Sequence, residues 1–74
     1  MPTAKEMFEA LGYEYRHIVF GFYYVKDDRN VIDFDLGRKG FSKHGVWDGM
    51  CDAITIDEFK SIHQQMKELG WLDE

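Results

Sequence analysis

The chain has 74 residues, of which 45% are hydrophobic and 31% charged, a balance that is typical of a folded protein and excludes a disordered one. Its formal net charge of -5 excludes a nucleic-acid binder that depends on overall positive charge. The single cysteine excludes an internal disulfide. Because the N-terminus lacks a signal-peptide pattern and no apolar run approaches the roughly 20 residues of a membrane helix, we expect a cytoplasmic protein without membrane contact.

The first predicted helix begins after Thr3. Thr3 and Glu6 have the spacing of a capping box, in which each side chain accepts a hydrogen bond from the backbone amide of the other residue. Gly12 supplies the left-handed residue that ends a helix, and Tyr13 is placed to contact Phe8 across this end. The apolar stripe with helical spacing is Ala4, Met7, Phe8 and Leu11.

Between Tyr13 and Trp47, β-branched and aromatic residues dominate, which indicates a sheet. Two turn sequences, at 27–30 and 37–40, divide this region. We expect antiparallel strands near 13–18, 22–26, 31–36 and 41–44, followed by a loop over 45–52. The first two could instead be one strand over 13–26 with a bulge at Gly21, which leaves three strands instead of four.

The loop length at 27–30 predicts the register of the two strands beside it. A loop of two or four residues pairs Val25 with Ile32 and Tyr23 with Phe34, and these residues share the predicted core face with Leu36. The opposite face then carries Phe22, Tyr24, Asp33 and Asp35. The turn at 37–40, if it also has two or four residues, places Ser42 and His44 on that opposite face. A loop with an odd number of residues would exchange the two faces.

The last helix has the same start and stop signals as the first. Thr55 and Glu58 form a second capping box, and Gly70 ends the helix before Trp71. The apolar stripe is Phe59, Ile62, Met66 and Leu69. We therefore predict a single α+β domain over 1–74, with an N-terminal helix, an antiparallel sheet of three or four strands and a C-terminal helix. Both helices are expected to pack on one sheet face.

Polar residues of the predicted sheet are candidates for a metal site. His44, Asp33 and Asp35 converge on one face, and an imidazole with two carboxylates can bind a divalent metal. Structural zinc normally has four ligands, however, and an antiparallel sheet commonly has one polar face, so we expect no metal site. Cys51 has no nucleophile signature around it, and we expect it to be incidental. The sequence therefore predicts no catalytic residue and no cofactor.

A second candidate is a basic tip, formed by Arg38, Lys39, Lys43 and His44. It could contact nucleic acid, with aromatic residues of the sheet stacking on bases. Carboxylates on the same face would repel phosphate, so nucleic acid is an alternative and not the expected partner.

The expected partner surface is the face opposite the predicted core. Phe22 and Tyr24 are costly to leave in water there, and Asp33 and Asp35 give them a polar rim. The sequence therefore favours a small non-enzymatic protein-interaction module, whose partner is another protein or a second copy of the chain. Two alternatives stay open: a nucleic-acid accessory protein acting through the basic tip, and a small metal-binding protein or enzyme.

Two blocks of the sequence resemble a group of small phage- and prophage-associated proteins of low-GC Gram-positive bacteria. The first block is Ala4 to Tyr13, and the second, stronger block comprises Ile54 to Phe59 and His63 to Trp71. Together they cover less than half of the chain and consist mainly of helix caps, apolar stripes and helix ends. The resemblance implies a mobile-element origin and a helix–sheet–helix fold. It implies no activity, because none is known for the group.

Overall fold

A computed structural model describes residues 2–45 and 53–72 of the chain. Its elements, in chain order, are α1 (Ala4–Ala10), β1 (Glu14–Ile18), β2 (Gly21–Asp27), β3 (Asn30–Asp35), β4 (Gly40–His44) and α2 (Ile56–Glu68). The predicted α+β class is confirmed. The predicted loop over 45–52 lies outside the described residues from position 46 onward, and so does Cys51. No helix within the described ranges is long and apolar enough to cross a membrane.

The strands form one four-stranded antiparallel sheet in the order β1-β2-β3-β4. The segment 13–26 is therefore two strands joined by a turn at Val19 and Phe20, and not one strand with a bulge at Gly21. Gly21 has a different role. A Cβ atom there would lie 2.1 Å from the carbonyl oxygen of Phe34, so only glycine permits the close approach of β2 to β3 at this point.

Capping interactions define both ends of α1, as predicted. The Thr3 hydroxyl accepts a hydrogen bond from the Glu6 amide (3.2 Å), and the Glu6 carboxylate accepts one from the Thr3 amide (2.8 Å). At the other end Gly12 adopts a φ of 95°. The Tyr13 amide then donates to the Phe8 carbonyl (3.0 Å), and the two rings meet edge to face, with centroids 5.7 Å apart. This ending fixes the point from which β1 departs.

The ends of α2 also follow the prediction. The Thr55 hydroxyl accepts from the Glu58 amide (3.1 Å), and the Glu58 carboxylate accepts from the Thr55 amide (3.0 Å). Gly70 adopts a φ of 75°, and the Trp71 amide donates to the Met66 carbonyl (3.0 Å). Both helices therefore begin at a capping box and end at a left-handed glycine.

The register between β2 and β3 differs from the prediction by one residue. Phe22 pairs with Phe34, and Tyr24 pairs with Ile32. The predicted pairing of Tyr23 with Phe34 is therefore wrong. Because side chains alternate along a strand, this shift exchanges the two faces of β2 and places Phe22 and Tyr24 in the core.

A β-bulge at the end of β2 is the cause of the shift. Asp27 pairs with Asn30, which is the register of a two-residue turn, but the next pair is Val25 with Val31. Lys26 is thus an extra residue on β2, and it has the same effect on the faces as a loop with an odd number of residues. The predicted turn was right, and the shift arises within the strand.

Aromatic rings fill the core between the sheet and the two helices. The rings of Phe8 and Tyr24 are stacked with centroids 4.0 Å apart, and those of Phe22 and Phe34 are stacked at 5.1 Å. The buried cluster is Phe8, Tyr13, Phe22, Tyr24, Ile32, Phe34 and Ile62. Phe8 belongs to α1 and Ile62 to α2, so both helices pack on the same face of the sheet, as predicted.

The buried side of α2 differs in part from the predicted stripe. Ile62 is fully buried, and Met66 and Leu69 pack partly against the core. Phe59, in contrast, is 54% exposed and stacks on His63. The buried residues of α2 are Glu58, Ser61, Ile62 and Gln65. Glu58 and Gln65 face inward because core residues provide hydrogen-bond partners for them, and the Ser61 hydroxyl donates to the Asp57 carbonyl of its own helix (3.1 Å).

The observed register of β2 implies that the neighbouring residues Phe22 and Tyr23 contribute differently to the free energy of unfolding. Phe22→Ala removes a buried ring and should lower the free energy of unfolding by about 3–5 kcal/mol, a large part of the roughly 4–11 kcal/mol expected for a chain of this length. Tyr23→Ala changes the opposite face and should cost only about 1 kcal/mol. Urea unfolding followed by circular dichroism measures both. A larger loss for Tyr23→Ala would contradict the register.

Candidate functional site

The face of the sheet opposite the helices, here called the outer face, presents the side chains that alternate with the core residues. Directly paired positions form rows across the four strands. One row is Glu14, Val25, Val31 and His44, and the next is Arg16, Tyr23, Asp33 and Ser42. Neither α1 nor α2 packs against this face, because both contribute to the core on the other side.

A groove of about 570 Å³ lies on the outer face and is called the outer-face groove below. Its apolar lining comes from Ile18, Phe20, Tyr23, Val25, Val31 and Phe34. Its polar lining comes from Arg16, Asp33, Asp35 and His44. A mainly apolar surface with a few polar groups is typical of a binding site.

Exposed apolar side chains at the β1–β2 turn extend this surface. Val19 is 87% exposed and Phe20 is 79% exposed. With the half-exposed Leu36 they line a second, shallower depression beside the groove. Two-residue turns between antiparallel strands usually contain glycine, asparagine or aspartate, so a valine and a phenylalanine here add apolar surface that the turn itself does not need.

His44 is held by oxygen atoms at both ring nitrogens. Nδ1 faces the carbonyl oxygen of Gly45 (3.0 Å), and Nε2 faces the Asp33 carboxylate. The bond to Gly45 raises the pKa of His44, burial acts in the opposite direction, and Asp33 raises the pKa further. Only the protonated ring can donate from both nitrogens, so this arrangement favours the imidazolium form. Neither nitrogen points into open space as a base or a metal ligand.

The predicted convergence of three groups is only partly observed. Asp33 meets His44, and its other oxygen accepts a hydrogen bond from the Ser42 hydroxyl (3.0 Å). Asp35 instead accepts from the amides of Gly37 and Arg38 (3.0 and 3.1 Å), and so stabilises the β3–β4 turn. Within the described residues, no three histidine, cysteine or acidic side chains are grouped as a metal site.

The predicted basic tip is divided between the two faces of the sheet. Arg38 and Lys39 lie in the β3–β4 turn, and His44 is on the outer face beside Asp33. Lys43 is only 5% exposed and lies on the core face, where its ammonium group donates to Glu58 (2.8 Å) and to the Ala53 carbonyl (2.8 Å). Strand alternation is the reason, because position 43 faces inward when 42 and 44 face outward.

The predicted partner surface also needs correction. Phe22 is 6% exposed and Tyr24 is 1% exposed, so both belong to the core. Asp33 and Asp35 are on the outer face, and the four residues do not form one surface. The bulge in β2 is the reason for this error. It places Tyr23 and Val25, which alternate with Phe22 and Tyr24 along β2, at the outer-face groove instead.

Sequence reasoning missed a buried polar network centred on the Glu58 carboxylate. One oxygen accepts from Lys43 (2.8 Å) and from the Thr55 amide (3.0 Å), and the other accepts from the Tyr13 hydroxyl (2.5 Å). Burial acts to raise the pKa of Glu58, but the hydrogen bonds from Lys43, Tyr13 and Thr55 outweigh it and lower the pKa. The inward position of Lys43 was a usable signal, since the predicted register already alternated it with Ser42 and His44.

The hydroxyl groups of Tyr13 and Tyr24 both lie inside the protein. Burial, followed by the hydrogen bond and charge of Glu58, raises the pKa of Tyr13. Burial is also the main cause that raises the pKa of Tyr24, whose hydroxyl donates to Gln65 (2.7 Å). Each hydroxyl is hydrogen-bonded inside the protein, so both pairs stabilise the fold and offer no group to a ligand.

Comparison with known proteins gives no match: no protein-family model, no curated protein and no solved structure is similar to the chain. Function must therefore be inferred from the geometry of the outer face.

The buried ion pair of Lys43 and Glu58 should affect the stability of the fold. Glu58→Gln should lower the free energy of unfolding by about 3 kcal/mol or more, because the Lys43 ammonium is left buried without a counter-charge. Adding Lys43→Met should recover part of this loss, since an apolar side chain of similar length then replaces the charge. Urea unfolding of both variants at neutral pH tests this. A cost for Glu58→Gln below about 1 kcal/mol, the range of exposed pairs, would contradict the role of the network.

The His44 environment generates a pH prediction. Because the pKa of His44 is raised in the folded protein, its stabilising contribution is complete below the ordinary value of 6.5 and is lost as the pH rises through the raised value. His44→Gln should therefore lose more stability at pH about 5.5 than at pH about 8.5. Asp33→Asn, which removes the charged acceptor, should also reduce this pH dependence. Thermal unfolding at the two pH values is the measurement, and equal losses would refute the prediction.

Proposed function

We propose that this protein is a non-enzymatic protein-binding module that holds an amphipathic segment of a partner protein in the outer-face groove. The observation that carries the proposal is the combination of a helix-free sheet face, a groove of about 570 Å³ and the exposed apolar turn beside it. A cytoplasmic location and a mobile-element origin are parts of the proposal, and they rest on the composition of the chain and on the resemblance of its two helical blocks.

The apolar groups of the groove favour a partner with apolar side chains. Val31, Val25, Tyr23 and Ile18 all contribute apolar area to its lining. At one end Phe20 projects into solvent, where a ring loses the benefit of burial. Rings and aliphatic side chains surrounded by polar groups are typical of the centre of a protein contact.

Charge favours basic groups beside those apolar side chains. The chain as a whole has a net charge of -5. On the outer face Arg16 pairs with Glu14 at 3.1 Å and Asp33 pairs with His44, so these charges offset one another. The preference rests on the net charge of the chain and on the partly exposed Asp35 carboxylate. A segment that carries lysine or arginine next to its apolar residues therefore complements the groove better than an acidic segment.

The alternatives have less support from the described residues. For an enzyme, Ser42 donates to Asp33 and not to His44, so the three do not have the order of a nucleophile, base and orienting acid. For a nucleic-acid protein, Lys43 of the basic tip is buried in the core, where it pairs with Glu58. The Arg38 Nε atom is 3.8 Å from a carboxylate oxygen of Asp35.

Site-specific photo-crosslinking tests the proposal. Benzoylphenylalanine is placed at position 20, beside the groove, or at position 59 on the exposed side of α2, and the protein is irradiated in cells of its source organism. Phe20 and Phe59 are matched, because both are exposed phenylalanines. We expect a protein crosslink from position 20 and none from position 59. A synthetic peptide of the crosslinked segment should contain apolar and basic residues.

The groove is then tested with purified components. The double variant Tyr23→Thr, Val25→Thr keeps residues that favour strands and should weaken binding of that peptide by roughly ten-fold or more, while Phe59→Ala leaves it unchanged. A crosslink from position 59 alone, a nuclease-sensitive crosslinked product or unchanged peptide binding by the double variant would contradict the proposal.

A further inference from the structure

The strand β1 forms an exposed edge of the sheet beside the outer-face groove. We infer that two copies of the chain associate through their β1 strands, antiparallel and related by a two-fold axis at Tyr15, to form one continuous sheet. The occupant of this edge is therefore a second copy of the same chain.

The hydrogen-bond pattern shows which backbone groups of β1 are directed outward. The Leu36 amide donates to the Phe20 carbonyl (3.2 Å), so even-numbered residues of β2 bond to β3. Odd-numbered residues of β2 consequently bond to β1, where their paired positions are Glu14, Arg16 and Ile18. The amide and carbonyl groups of Tyr15 and His17 therefore point away from the sheet and can pair with another strand.

The strand lacks two features that commonly protect a sheet edge, a proline and a β-bulge. It contains no proline, and its pairing with β2 runs over Glu14–Ile18 without a bulge. Tyr15 is half-buried, and every other residue of β1 is exposed. Proteins commonly block such an edge with proline, bulges or lysines, and an unblocked edge is a template for a further strand.

The charges on β1 complement themselves in one register. An axis at Tyr15 places Glu14 opposite Arg16 of the partner subunit, and the same pair occurs again by symmetry. Within each copy the two residues already pair at 3.1 Å, so the two ion pairs join into one cluster of alternating charge. An axis at Arg16 would instead oppose two arginines. The register at Tyr15 makes Tyr15 a hydrogen-bonded self-pair, which its outward backbone groups allow.

Charge reversal with rescue tests the dimer. Sedimentation velocity over micromolar to millimolar concentrations should show a reversible dimer of the wild-type chain. Glu14→Arg or Arg16→Glu alone opposes like charges twice at the axis and should raise the dissociation constant by roughly ten-fold or more. The double variant Glu14→Arg, Arg16→Glu restores opposite charges and should return the constant toward the wild-type value.

A backbone variant separates pairing from charge. His17→Pro removes an outward amide that the monomer does not use, so it should abolish the dimer while thermal unfolding still shows a folded chain. A wild-type monomer at every concentration would overturn the inference. A dimer that resists His17→Pro, or one that the double charge exchange fails to restore, would do so as well. Arg16 also lines the groove, but Glu14 and His17 do not, so the Glu14→Arg and His17→Pro results fail independently of the proposed function.

Discussion

The extra residue at Lys26 decides which side of β2 faces the helices. With the bulge in place, Phe22 and Tyr24 join the core with Phe34 and Ile32. Without it, the same turn would bury Tyr23 and Val25 instead. The core, the position of both helices and the composition of the outer face all depend on this one irregularity. A bulge also increases local twist and bend, which is consistent with a groove instead of a flat surface on the outer side.

The Glu58 carboxylate is the second constraint, and it acts on the helices. It caps α2 at Thr55, binds Lys43 of β4 and accepts from Tyr13, the residue that follows the end of α1. One side chain thus connects three parts of the chain that are distant in sequence. Because a buried charge is costly without partners, this geometry disfavours rotations of α2 that would bury Phe59 in place of Glu58. The exposure of Phe59 follows from that requirement.

Local signals in the sequence predicted much of the fold. Capping boxes at Thr3 and Thr55 and glycines at 12 and 70 have geometric requirements that neighbouring residues satisfy alone, and the structure confirms them. The strands fall within a residue or two of their predicted bounds. The position of His44 and Asp33 on the same face was also predicted, and because the pairing of β3 with β4 has no bulge, it holds although Asp33 pairs directly with Ser42 and His44 with Val31.

The register of β2 was not predictable, for a physical reason. Phe22, Tyr23, Tyr24 and Val25 are all apolar or aromatic, so alternation does not distinguish the two faces of this strand. The bulge at Lys26 has no glycine or proline to indicate it. The buried network was missed for a different reason: Glu58 and Lys43 are residue types that are rarely buried, and the predicted inward position of Lys43 does not by itself identify Glu58 as its partner.

Nuclear Overhauser effects between protons of neighbouring strands test the register of β2 and β3 most directly. Tyr23 and Asp33 are directly paired without mutual hydrogen bonds, a position at which the two Cα atoms approach to about 4.5 Å. We expect a strong Hα–Hα cross-peak between Tyr23 and Asp33. A Tyr23–Phe34 cross-peak together with a Val25–Ile32 cross-peak would mean that Phe22 and Tyr24 face outward, and would contradict both the core and the outer-face groove.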